Sequence, residues 1–137
     1  MTDPNDLAAR SAREVLEDHL RLAADPDGFE ADIARNVAED VVVLTGRGVF
    51  HGIGGVRELA RQLTDEIPGG GWTYVTQLVE GRMGFLEWIV DEGPFRVRDG
   101  ADSYLIEGGL IRVQTIHYTV EDDHGNVLIR ADGTRPS

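Results

Sequence analysis

Asp102, His117 and Glu87 are the side chains on which chemistry would rest. The stretch from Arg98 to Glu121 reads as two long strands joined by Gly108-Gly109. A two-residue turn of that kind needs positive φ at both central positions, which glycine adopts without steric cost. With those two residues in the loop, Glu107 lies opposite Leu110, Ile106 faces Ile111, Tyr104 faces Val113 and Asp102 faces Thr115. His117 falls one step beyond on the same side, and Gln114, Ile116 and Tyr118 on the other. Desolvation on the more apolar face would raise the carboxyl pKa, and a neighbouring acid would orient the imidazole as a base. Glu87 joins them if the loop Glu92 to Phe95 pairs Asp91 with Arg96; one residue of slip turns Trp88 inward and Glu87 outward. Plainer roles compete: Asp102 at a solvated rim or paired with Arg96 or Arg98, and His117 bonded to a backbone carbonyl.

Tyr104, Thr115, Trp72, Tyr74, Phe85 and Trp88 would supply the walls of a pocket for a small apolar ligand, though most aromatics simply pack a core. His19 falls in the apolar stripe of the first helix, where it either reaches the pocket floor or packs. His51 precedes a glycine loop, and His124 lies in an acidic turn. No His or carboxylate pair has metal-ligand spacing, so no metal is expected. Gly52-Ile53-Gly54-Gly55 lacks the Lys-Ser/Thr ending of a phosphate loop and no cofactor is expected.

These residues need elements to hold them. Asp3-Pro4 predicts a helix start, and Ala8, Ala12, Val15, Leu16, His19, Leu20 and Ala23 form one apolar stripe. Asp25 to Gly28 stops that helix, and Phe29, Ile33 and Val37 mark a short second one. Strands follow at Asp40 to Thr45 and Val49 to His51. Val56, Leu59, Ala60, Leu63 and Ile67 recur at helical spacing in a third helix expected to pack on the inner sheet. Beyond Pro68 the chain reads as sheet: Trp72 to Val79, Met83 to Asp91, Val97 to Glu107, Leu110 to Glu121 and Val127 to Arg130, with a loose tail from Ala131. This order indicates an α+β fold with helices on one face of a curved antiparallel sheet.

The 137 residues suffice for one domain. Zero Cys excludes disulfides and thiolate chemistry and fits a reducing compartment. A formal charge of −12, from 13 Lys+Arg against 25 Asp+Glu, repels phosphate backbones and anionic lipid, so neither nucleic acid nor membrane is an expected partner. With no membrane-length apolar run and no signal peptide pattern, a soluble cytoplasmic protein is expected.

The segments VFHGIGGVRELA (Val49 to Ala60), FLEW (Phe85 to Trp88), GADSY (Gly100 to Tyr104) and QTIHYTV (Gln114 to Val120), in this element order, resemble the nuclear transport factor 2-like superfamily, its SnoaL-like branch in particular. The resemblance spans roughly Leu7 to Glu121. It implies a cone-shaped barrel, a strongly bent antiparallel sheet wrapped around a long N-terminal helix with two further helices and a pocket at the open end. It also implies a homodimer through the outer sheet face, here the face carrying Leu105, Leu110, Ile116 and Tyr118. Against the ketosteroid isomerases of that superfamily, Asp102 matches the protonated aspartate of the oxyanion hole. The isomerase base falls at about Thr45 and its first-helix tyrosine near Asp18, so neither role carries over. The strand Met83 to Asp91 lacks the Arg-x-Asp that the epoxide hydrolase branch needs. The resemblance therefore implies a binder of a small, largely apolar ligand. It is either a cofactor-free acid/base cyclase, isomerase or dehydratase, or a non-catalytic binding or dimeric scaffold module.

Overall fold

The turn at Gly108-Gly109 has φ of 61° and 75°, as the hairpin reading requires. Gly109 is required twice over, because a Cβ there would collide with the backbone of Leu7 and Ala8. The computed structural model describes residues 6–69 and 71–137, so Asp3-Pro4 lies outside the described residues. Two helices, α1 (Ala12–Ala23) and α2 (Phe29–Asn36), precede the hairpin of strands β1 (Val37–Thr45) and β2 (Gly48–His51), and a third helix, α3 (Gly52–Glu66), follows it. The sheet continues through β3 (Trp72–Glu80), β4 (Met83–Val90), β5 (Phe95–Glu107), β6 (Leu110–His117), β7 (Val120–Asp122) and β8 (Val127–Ile129).

The main path of the sheet runs β2-β1-β6-β5-β4-β3. It is not wholly antiparallel as expected: β1 runs parallel to β6. The reason is connectivity. The β1–β2 hairpin occupies one edge, α3 carries the chain across to β3 at the other, and the meander returns to β1 pointing the same way. The fold class is α+β, a strongly curled mixed sheet with three helices on its inner face.

The first helix is shorter than expected. Ser11 caps α1 through a reciprocal box, accepting from the Glu14 N–H at 3.2 Å while Glu14 Oε1 accepts from the Ser11 N–H at 3.1 Å. Leu7–Ala9 form only a 3-10 turn before it. The expected third-helix packing is partial: Leu59 and Ile67 are buried, whereas Val56 and Leu63 are half-buried and border a cavity. Arg47 anchors the far end of α3. Its Nη2 lies 2.7 Å from Glu66 Oε1, its Nη1 donates to the Ala131 carbonyl at 2.9 Å, and its guanidinium covers the Tyr118 ring at 3.8 Å. The tail expected to be loose is thus tied at its first residue.

Register decides which side chains face the interior. Ile106 pairs with Ile111 as expected, but Leu105 pairs with Val113, leaving Arg112 as an extra residue in β6. Beyond that bulge every β6 side chain is displaced by one. Ser103 then pairs with Thr115, Asp102 with Ile116 and Ala101 with His117. The side chains of Gln114 and Ile116 therefore join Asp102 and Tyr104 inside, while Thr115 and His117 turn out.

Candidate functional site

The curl of the sheet leaves a cavity of about 280 Å³ between its inner face and the three helices. Most of the lining is apolar, with Leu20 from α1, Phe29 from α2, Val56 and Leu59 from α3, and Leu86 and Ile116 from the sheet. Among the described residues, the ionisable carboxyls and imidazole on the lining are His19, Asp25, Asp32 and Asp102, and no Lys or Arg contributes.

Asp102 lies on the wall, 7 % exposed. Three side chains from three strands hold it. Trp88 Nε1 donates to Oδ1 at 2.9 Å, while the Tyr104 hydroxyl at 3.1 Å and Gln114 Nε2 at 3.2 Å donate to Oδ2. A carboxylate offers about four acceptor positions, so one remains, on Oδ1, for a proton or a ligand. Burial raises the carboxyl pKa, and the three donors and nearby His19 only partly oppose this. Trp88 reaches Asp102 because its partner across the ladder is Gly100, where any Cβ would strike the indole. Trp72 packs edge-on against the same indole, centroids 4.9 Å apart. Tyr74 donates to the Leu20 carbonyl at 3.0 Å, and its pKa is pushed up to about 12 by burial and then by Asp102 and Asp32.

Across the cavity, His19 Nδ1 lies 2.9 and 2.8 Å from the two oxygens of Asp32. Its ring meets Tyr104 edge to face at 5.5 Å. Asn36, fully buried, donates from Nδ2 to Asp32 at 2.9 Å and to Asp18 at 3.0 Å, and accepts from Arg10 at 2.8 Å. Burial alone would raise the Asp18 carboxyl, but hydrogen bonds from Arg35, Arg21 and Asn36 outweigh it and hold the pKa well below the usual range.

Of the residues singled out from sequence, Asp102, Tyr104, Trp72, Tyr74, Trp88 and His19 line this cavity. His117 does not meet Asp102: it is exposed on the outer face, 3.2 Å from Asp99, because of the bulge at Arg112. Thr115 is outward for the same reason and accepts from the Ser103 N–H. Glu87 and Phe85 are exposed on the outer face, since Trp88 and Leu86 take the inward positions of β4. Ile116 and Tyr118 are buried, so they leave the face expected to dimerise, and Leu110 packs partly against the core. Asp32, Asn36 and Gln114 were missed as site residues. A signal existed for the first two, since Asp32 and Asn36 sit one turn apart next to Ile33 on the buried side of α2.

No family model matches the sequence, and no curated protein matches it. Solved structures do match. A ketosteroid isomerase-like protein from Kribbella flavida superposes with a TM-score of 0.63 at 17 % identity, covering 78 % of this chain and 76 % of its own. An NTF-2 like protein of unknown function from Burkholderia xenovorans gives 0.59 at 18 %, covering 78 % and 81 %. The chain has the nuclear transport factor 2-like fold. A SnoaL-like protein of the polyketide cyclase kind from Mesorhizobium loti gives 0.57 at 17 %, covering 80 % and 100 %. At these identities the match describes a backbone. In nuclear transport factor 2-like terms, Asp102 stands on the long curled strand that forms the cone wall, and His19 with Asp32 stands on the helices that close it.

Proposed function

We propose that this protein binds a small, neutral, largely apolar molecule in the cone cavity and acts on it as a cofactor-free acid/base enzyme of the cyclase, isomerase or dehydratase kind. One observation carries the reading. Asp102 is a buried carboxyl whose pKa burial raises, with one acceptor position left on Oδ1, set in a largely apolar cavity that no Lys or Arg lines among the described residues. Such a group holds its proton to higher pH than an exposed carboxyl does, which suits it to give or take a proton, and it disfavours an anionic ligand. Both tryptophans of the chain line the cavity, so intrinsic fluorescence reports its occupancy directly. Titration with 2-tetralone should quench saturably, and 2-naphthoate of similar size should not. Saturation by the carboxylate alone would overturn the neutral-ligand reading. Binding without turnover across neutral ketones would favour a non-catalytic binding module.

The proposal extends to a cytoplasmic homodimer of one-domain subunits. Its support is the outer sheet face, where Leu78 pairs with Phe85 and neighbouring Met83 pairs with Leu105. Leu78 is 60 % exposed, and an apolar group of this kind is what a dimer covers. Light scattering should report twice the mass of one 15.0 kDa chain, and Phe85→Lys should halve it. A wild-type monomer at micromolar concentration would refute this part.

A further inference from the structure

We propose that His19, held by Asp32, is the general base of the cavity and works against Asp102 on a neutral carbonyl compound that carries an acidic C–H beside the carbonyl. This rests on the acid/base reading above and assigns the second partner that reading lacks. Nδ1 faces both oxygens of Asp32, so in the neutral ring the hydrogen sits on Nδ1 and the lone pair on Nε2. His19 borders the cavity, and among the described residues Nε2 makes no hydrogen bond. Nε2 is not a buried orphan, so it is placed at the cavity surface, where a ligand or water can meet it.

The dyad is oriented from behind. Asn36 must turn its amide nitrogen to the two carboxylates, because its oxygen accepts from Arg10. That fixes the Asp32 carboxylate, which fixes the imidazole. Tyr104 completes the frame, with its ring against His19 and its hydroxyl on Asp102. Base and acid thus flank one buried tyrosine.

The step balances with no co-reactant. Nε2 takes the proton from the α-carbon, the C–H pair becomes the C=C bond, and the carbonyl π pair moves to oxygen. The proton of neutral Asp102, on the open Oδ1 position, is donated to that oxygen. The imidazolium is neutralised by Asp32. Where a C=C bond lies next to the α-carbon, the imidazolium returns its proton to the far end of the dienol and the double bonds shift. The enol O–H proton goes back to Asp102 as the C=O bond reforms, and the isomerisation is complete with both residues restored.

Deuterium uptake at the α-positions of 2-tetralone in D₂O, followed by proton NMR, tests the assignment. Wild type should exchange above buffer, and His19→Gln should lose about 100-fold or more. Asp32→Asn should also slow exchange while leaving tryptophan quenching by the ketone intact. Nitrogen-15 spectra of the wild-type imidazole should place the hydrogen on Nδ1. If exchange survives in His19→Gln but is lost in Asp102→Asn, the base is overturned and the role of Asp102 stands. Binding without exchange in the wild type also overturns the base. A ketone that neither binds nor exchanges counts against both proposals. A hydrogen on Nε2 of the neutral ring overturns the dyad whatever the exchange rate.

Discussion

Replacing Asp102 with Asn should make the protein more stable, relative to wild type, as the pH rises. The carboxyl is buried, its pKa is raised from the ordinary 3.8 chiefly by desolvation, and its neighbours only partly oppose this. The opposing groups are Trp88 and Gln114 from the flanking strands, Tyr104 from the same strand and His19 from α1; Tyr74 and Asp32, which also line the cavity, are not among them. A folded-state pKa above the unfolded one means the native state holds the proton longer. Stability is then fully present below the ordinary carboxyl value and declines as pH rises toward the folded value. The slope approaches about 1.4 kcal/mol per pH unit for one proton. Asn has nothing to lose there, and its carbonyl can still accept from Trp88. Urea unfolding of both proteins at a series of pH values above the ordinary carboxyl pKa should give a difference that grows as pH rises toward the folded value. Parallel stability curves, or Asn losing ground as pH rises, would refute the desolvation argument. The latter would mean that three hydrogen bonds outweigh burial.

Further outcomes follow from packing. Gly100→Ala should push the Trp88 indole off its seat, breaking its 2.9 Å bond to Asp102 and shifting tryptophan emission while the fold persists. Arg47→Ala should cost about 3–5 kcal/mol in urea unfolding, because Glu66 and its bond from the Tyr118 hydroxyl at 2.8 Å would be left buried without a cation. Leu59→Ala should cost about 2–5 kcal/mol in the same assay and enlarge the cavity that it borders. His117→Ala should leave ketone quenching unchanged and alter stability by no more than about 0.5 kcal/mol, since the side chain is exposed on the outer face.

Much of the frame was legible in the sequence, and the places where it was not share one cause. Strand limits, the Gly108-Gly109 turn and the α3 repeat are local patterns written in residue type and spacing. A bulge is not: it arises where the sheet curls, and nothing in LIRVQTIH marks Arg112 as the extra residue. One unpaired residue moved His117 and Thr115 outward and brought Gln114 in. Asp102 lies on the partner strand, whose facing was set by Tyr104 and Ile106, and so it stayed inside. Parallel pairing of β1 with β6 is likewise a property of the α3 crossover, beyond the reach of local patterning. The His19–Asp32 pair spans two helices, and only their packing shows that two polar residues on buried faces meet each other.

Three aspartates close to one another show how the fold separates structural from chemical carboxylates. Asp18 receives Arg35 at 2.8 Å, Arg21 at 2.7 Å and Asn36, and its pKa falls. Asp102 receives a tryptophan, a tyrosine and a glutamine, all neutral, and its pKa rises. Asp32 stands between them, linked to Asp18 through Asn36 and facing the cavity through His19. The guanidinium groups are confined to the outer side of this series, where they lock α1 to α2 and, through Arg10, to the Gly109 carbonyl. Among the described residues none reaches the cavity lining. Had one done so, it would have favoured the ionised form of Asp102 and opposed the rise that burial gives its pKa. Excluding cations from the lining keeps Asp102 protonatable and leaves His19 as the group there that can carry positive charge. An imidazolium formed during turnover would then meet Asp32 at once, without a competing cation.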